Sequence, residues 1–287
     1  MRIRATVAAV SGALALAAFA VPAAHATDAP SYKAQAEKAV SASGKSAYTA
    51  GTAADLDVTF SNLKIASAIK VGTTNHVSAT VTYTMTFGPG YQLNGDDFDN
   101  GPFIYKGSSP DTAVNVLFGD APATCTATSS TTASCKGLVD IRPADGDLLN
   151  SDAGTWSAGA LAVQYSTNDE TVQGGLGSTK VQRYSKLTVN AGPEPVAKGK
   201  TLTATGKLSR ANWEDGLYHG YTNQPVKLQF RKAGTTTYTT VKTVYSDSYG
   251  NVKTTTTANY DGYWRFSFAG TSTTPAVNAT GDYVDVQ

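Results

Sequence analysis

Val77-Ser78-Ala79-Thr80-Val81-Thr82-Tyr83-Thr84-Met85-Thr86-Phe87 carries an apolar residue at every odd position and Ser or Thr at every even one. A strand turns successive side chains to opposite faces, so this period of two predicts one face on a core and the other in water. Gly88-Pro89-Gly90 ends the run as a turn. Working outward, the same alternation in shorter form marks Leu56 to Phe60, Leu161-Ala162-Val163-Gln164-Tyr165, and Leu187 to Val189. The composition agrees. Asp outnumbers Glu by 18 to 4, and Asp favours turns where Glu favours helices.

Gly192-Pro193-Glu194-Pro195 breaks the pattern, because two prolines deny ladder donors. Beyond it the strands come closer together. Leu202, Ala204, Gly206 and Leu208 share a face, as do Val226, Leu228 and Phe230, then Trp264, Phe266 and Phe268, then Val284 and Val286. Turns at Ala233-Gly234, Asp247 to Asn251 and Asp261-Gly262 separate them. This spacing predicts an immunoglobulin-like sandwich. The expected class is all-β, with a β-sandwich domain over 53–190 and an Ig-like one over 195–287. The Ala-, Ser- and Lys-rich stretch 27–52 has little to bury and is expected to be flexible, Gln35 to Val40 being able to make a turn or two of helix.

The first residues read as an export signal over 1–26. Arg2 and Arg4 precede an apolar run from Val7 to Val21, and Ala24-His25-Ala26 forms a small-residue cleavage box, so the exported chain is expected to start at Thr27. The apolar run is shorter than a membrane-spanning helix needs. Without it the chain keeps 21 basic against 22 acidic residues, a net charge of −1. That balance gives no electrostatic case for nucleic acid or an anionic membrane surface.

Candidate chemistry is sparse. Cys125 and Cys135 bracket a polar stretch of nine residues, seven of them Ser or Thr, and, in an exported chain, are expected to bond across a hairpin. Their spacing fits neither a C-x-x-C redox motif nor a zinc site. His76 and His219 are expected at the surface. Thr155-Trp156-Ser157-Ala158-Gly159 lacks the first glycine of a nucleophile elbow, and so few Glu offer no carboxylate pair for glycoside hydrolysis. No catalytic residue and no cofactor is expected.

Asp96, Asp97 and Asp99, beside Asn94 and Asn100, crowd oxygens into one turn, and Asp145, Asp147 and Asp152 make a second group. Calcium wants such convergence, yet neither run fits the helix-loop-helix frame, and solvated turns are the expected use with calcium the alternative. The loop from Ala211 to Tyr221 is the best candidate contact surface. Its Trp213, Tyr218 and Tyr221 form either an exposed stacking platform or a plug for the end of a sandwich, the commoner use of one Trp.

Pro225 to Arg231 (PVKLQFR), Asp247-Ser248-Tyr249-Gly250, and Asp261 to Gly270 (DGYWRFSFAG) resemble the bacterial Ig-like repeats of exported actinobacterial proteins, over residues 193–287. The whole chain is similar to small secreted actinobacterial proteins, some labelled calcium-binding. The resemblance implies an Ig-like fold and an extracellular or loosely wall-associated location, and it transfers no catalytic residue. The expected role is a secreted, non-enzymatic adhesion or envelope module, whose partner is a cell-wall polymer or a surface protein.

Overall fold

The computed structural model describes residues 31–43 and 55–287. The signal segment 1–26, its cleavage box and the start at Thr27 lie outside them. In order come α1 (Tyr32–Ser43), β1 (Val58–Ile65), β2 (Ala68–Val71), β3 (Val77–Phe87), β4 (Phe98–Lys106), β5 (Asn115–Phe118), β6 (Thr124–Ala127), β7 (Thr132–Ile141), β8 (Gly154–Gln164) and β9 (Asp169–Arg183). They build two sheets, one in the order β1-β3-β7-β6 and one in the order β2-β9-β8-β4-β5. The deciding strand β3 sits between β1 and β7, and its odd residues Ala79, Val81, Tyr83, Met85 and Phe87 are buried. They meet Ile104, Trp156, Ala158, Ala160 and Ala162 of the second sheet in one core.

That second sheet is buried on both faces. Phe103, Tyr105, Leu161 and Val163 point away from the sandwich into a further core, completed by Tyr32, Ala36, Ala39 and Val40 of α1. Leu161 to Tyr165 therefore does not alternate between core and water, because Ala162 faces one core while Leu161 and Val163 face the other. Across Tyr32–Ser43 the stretch expected to be flexible is instead a docked helix. Its apolar positions recur at helical spacing, and the Ser31 side chain accepts from the Ala34 amide at its start.

The chain then passes with little break from β9 into β10 (Ser185–Leu187), β11 (Asn190–Gly192), β12 (Thr201–Ala211), β13 (Tyr218–Gly220), β14 (Pro225–Lys232), β15 (Thr239–Tyr245), β16 (Asn251–Thr257), β17 (Gly262–Phe268), β18 (Val277–Asn278) and β19 (Asp282–Val284). One sheet centres on β12, paired with β10, β11, β13 and β16; the other runs β15-β14-β17 with β18 and β19 beyond. The chain crosses between the sheets from β13 to β14, from β15 to β16 and from β16 to β17, and Val196 bridges Val286 in parallel near the end. This is the immunoglobulin-like arrangement, with β11, β12 and β16 opposed to β15, β14, β17 and β19. Leu202, Leu208, Val226, Leu228, Trp264, Phe266 and Val284 fill its core. Leu187 and Ala191 belong to that core too, so the second sandwich starts before the Gly192 to Pro195 break that was expected to precede it.

Candidate functional site

Cys125 and Cys135 stand directly opposite on β6 and β7 and are bonded, as the hairpin reading expects, with Cα atoms 4.1 Å apart. The acidic turn before β4 is bound up with the end of β8. Asp97 accepts from the Ser166 amide and hydroxyl, each at 2.7 Å, and from Gln164 at 3.2 Å. These bonds, that of the Ser166 hydroxyl first, hold its carboxyl below the usual range. Asp99 accepts from the Tyr165 hydroxyl at 2.7 Å, and burial pushes its carboxyl up. In the second group, Asp147 accepts from the Arg142 amide and Asp152 from the Leu149 amide. Asp96, Asp97 and Asp99 are not among the groups whose ligand atoms converge in the described residues.

The three aromatic residues after β12 part company. Trp213 is 4% exposed and enters the core of the first sandwich, where its indole N–H donates to the Gly72 carbonyl at 2.9 Å. Tyr218 packs half-buried beside the same core with Lys186 Nζ 3.6 Å from its ring centroid. Tyr221 turns to the second core, edge-on to Phe268 and under the Arg210 guanidinium. They make no exposed row. Trp213 is a plug, though of the other sandwich rather than its own. Around it Asn150 accepts from the Trp213 amide, Arg183 donates to the Ala211 carbonyl, and Gln182 donates to the Thr271 carbonyl. Burial, then the nearby Arg210 charge, brings the Arg183 guanidinium down to about 10.

His76, Ser78, Asp140 and Asp120 meet at the start of β3, a gathering that spacing alone does not reveal. The His76 ring nitrogen Nε2 lies 2.9 Å from Asp140 and 3.3 Å from the Ser78 hydroxyl, which itself donates to Asp140. In a hydrolytic triad the carboxylate holds one ring nitrogen while the nucleophile faces the other. Here Asp140 and Ser78 both lie at Nε2, which is not the arrangement of a triad. His76, Asp120 and Asp140 bring three ligand-type atoms within 4.8 Å. The Arg142 guanidinium already forks onto Asp120 as its cation, holding that carboxyl low and its own pKa high.

The outer face of β14, β15 and β17 is different in kind. Outward positions on β14 are Lys227, Gln229 and Arg231, and on β17 they are Tyr263, Arg265 and Ser267. Tyr238, from the loop before β15, lies across them with its hydroxyl against Gly281. The Arg265 guanidinium is 3.8 Å from the Tyr238 ring centroid, and Arg231 is 5.4 Å from Tyr238 and 4.0 Å from Tyr263. Tyr283 of β19 meets Tyr263 edge-on at 5.2 Å. Cation and ring thus alternate from Arg265 to Tyr263, and Tyr283 extends the row by a ring–ring contact. Seven cation–ring contacts among the described residues all fall between Lys186 and Arg265, where roughly one per 70–80 residues is usual. Reading these strands only for their inward apolar residues passes over the alternate positions, which carry the signal.

No family model matches the chain, and no curated protein matches it. Solved structures similar to it include a marsupial T cell receptor, at 15% identity and a TM-score of 0.36 over 80% of this chain and 73% of that one. The D00-D0 domain of intimin matches at 14% identity and a TM-score of 0.26, over 79% of this chain and 99% of that one. The Yersinia pseudotuberculosis adhesin InvE matches at 12% identity and a TM-score of 0.25, over 79% and 58%. The fold assignment rests on the strand pairing itself: the chain is an all-β protein whose second sandwich is immunoglobulin-like.

Proposed function

We propose that the chain is an exported, non-enzymatic binding module of the cell envelope, presenting the Arg–Tyr face of its second sandwich to a wall polymer or surface protein. The observation that carries this reading is the row of Arg265, Tyr238, Arg231, Tyr263 and Tyr283 across one sheet face. Rings and guanidinium groups that support each other at a surface contribute contact area at little entropic cost. A calcium-stabilised protein is less well supported, since Asp97 and Asp99 are engaged by Ser166, Gln164 and Tyr165. The export reading rests on Arg2, Arg4 and the Ala24-His25-Ala26 box, and the Cys125–Cys135 bond suits an oxidising compartment.

Retention of the purified exported chain on envelope fragments of producer cells tests the reading. The native chain is expected to co-sediment, and a variant with Arg231→Gln and Arg265→Gln to stay in solution with its melting temperature kept. Equal retention of the two would refute a role for this face.

A further inference from the structure

We infer that the Arg–Tyr face takes an acidic polysaccharide, a chain of pyranose rings bearing carboxylate or phosphate groups; the inference rests on the binding role proposed above. Lys227, Arg231 and Arg265 stand at outward positions of β14 and β17, and no carboxylate stands at an outward position of β14, β15 or β17. Among the described residues, the ion pairs lie elsewhere, at His76–Asp140, Arg142–Asp120 and His219–Asp215. Of the acids near this face, Asp261 and Asp285 lie beside Tyr283, and Asp282 of β19 accepts from the Ala191 amide of the opposite sheet. Three cations without a carboxylate partner, gathered on one face of a chain whose net charge is only +1, form a local positive field that attracts anions.

Both guanidinium groups are aimed before any ligand arrives. Arg265 Nε donates to Gln229 Oε1 at 2.9 Å while its plane stacks on Tyr238. Arg231 Nη1 donates to the Thr235 carbonyl at 2.5 Å while it stacks on Tyr263. Each keeps further N–H groups for the fork that receives a carboxylate or phosphate. Pre-aimed groups lose less entropy on binding.

The rings decide what carries the anion. A pyranose has an apolar face of C–H groups and hydroxyls at its edge, which complements a ring with a polar tip. The rings among the Arg side chains of this face, Tyr238, Tyr263 and Tyr283, are all tyrosines. Nucleic acid fits less well, because its affinity grows from many closely spaced phosphate contacts and only three cations stand here, separated by rings.

The test uses the exported chain against four immobilised polymers: polygalacturonate, a phosphorylated mannan, neutral dextran, and polyphosphate, which is anionic but has no sugar. Single-stranded DNA is a fifth arm. At least one acidic polysaccharide is expected to bind, at least tenfold more tightly than dextran, polyphosphate or DNA, and to weaken as salt screens the charges. Which of the first two binds tells carboxylate from phosphate. The pair Arg231→Gln and Arg265→Gln is expected to lower affinity at least tenfold and Tyr263→Ala severalfold. Lys227→Gln, at an exposed position, is expected to lower it severalfold and serves if the arginine pair fails to fold. Polyphosphate or DNA bound as tightly as the glycans would overturn the inference in favour of charge alone or of nucleic acid. If neither glycan binds while envelope fragments still retain the native chain and release the variants, the ligand class is wrong and the binding role stands. If the variants are retained as well, both fall.

Discussion

Asp120 shows how one exposed carboxylate contributes to stability here. The Arg142 fork holds it below its ordinary value of 3.8 in the folded chain. A carboxyl depressed by folding stabilises the fold above the unfolded pKa, and that contribution is lost as pH falls through the folded one. Asp120→Asn is therefore expected to lower the melting temperature at about pH 6 and to approach the native curve at about pH 2. A difference that stays constant down the acid limb would show that the fork is not its source. Asp99 and Glu170 are raised by burial and act in the opposite sense, so the informative quantity is the difference between the two proteins. At this scale the sequence was legible where chemistry is local. Cys125 and Cys135 needed only a hairpin between them. It was not legible where partners come from distant strands. Asp140 lies 64 positions from His76, and Trp213 lies 141 from the carbonyl it bonds.

Single elements repeat the contrast. Strands β3, β14 and β17 stand out because one face is apolar and the other polar, the condition under which a period of two shows. Helix α1 escapes that reading because its buried stripe includes two alanines, Ala36 and Ala39, and a short stretch of small residues looks like one with nothing to bury. What docks it is Tyr32, whose hydroxyl rests against Gly101 of β4 where no side chain intervenes. Gly101→Ala would set a methyl group against that ring. The variant is expected to loosen α1 from Phe103, Tyr105 and Leu161 and to expose apolar surface on the sheet beneath. Hydrogen exchange should then show protection lost in Tyr32–Ser43 and kept in β3 and β7; unchanged protection in the helix would mean that Tyr32 finds another position. Strands β4 and β8 were harder to read than β3 for the same reason, since the helix turns their second face into core and erases the alternation.

Over the whole molecule, Ser31–Gln287 forms one compact unit although its two sandwiches have separate cores. Trp213 ties them together, because it removes a large apolar surface from water and satisfies its own N–H. Trp213→Ala is expected to cost about 3–5 kcal/mol, the range for truncating a large buried aromatic. It should also divide unfolding into two calorimetric steps, one per sandwich, where the native chain gives one. A single step at the native temperature would show the tie to be incidental. The Gly192 to Pro195 break lies within the second sandwich rather than ahead of it, yet the presence of two sandwiches was legible from the two sets of alternating strands. Their union was not, because it depends on a loop residue reaching across to Gly72. The three tryptophans of the chain are buried at three different stations: Trp156 within the first core, Trp264 within the second, and Trp213 at the join. Fluorescence of single-tryptophan forms, with Phe at the other two positions, would thus report separately on the melting of each half and on their parting, with no attached dye.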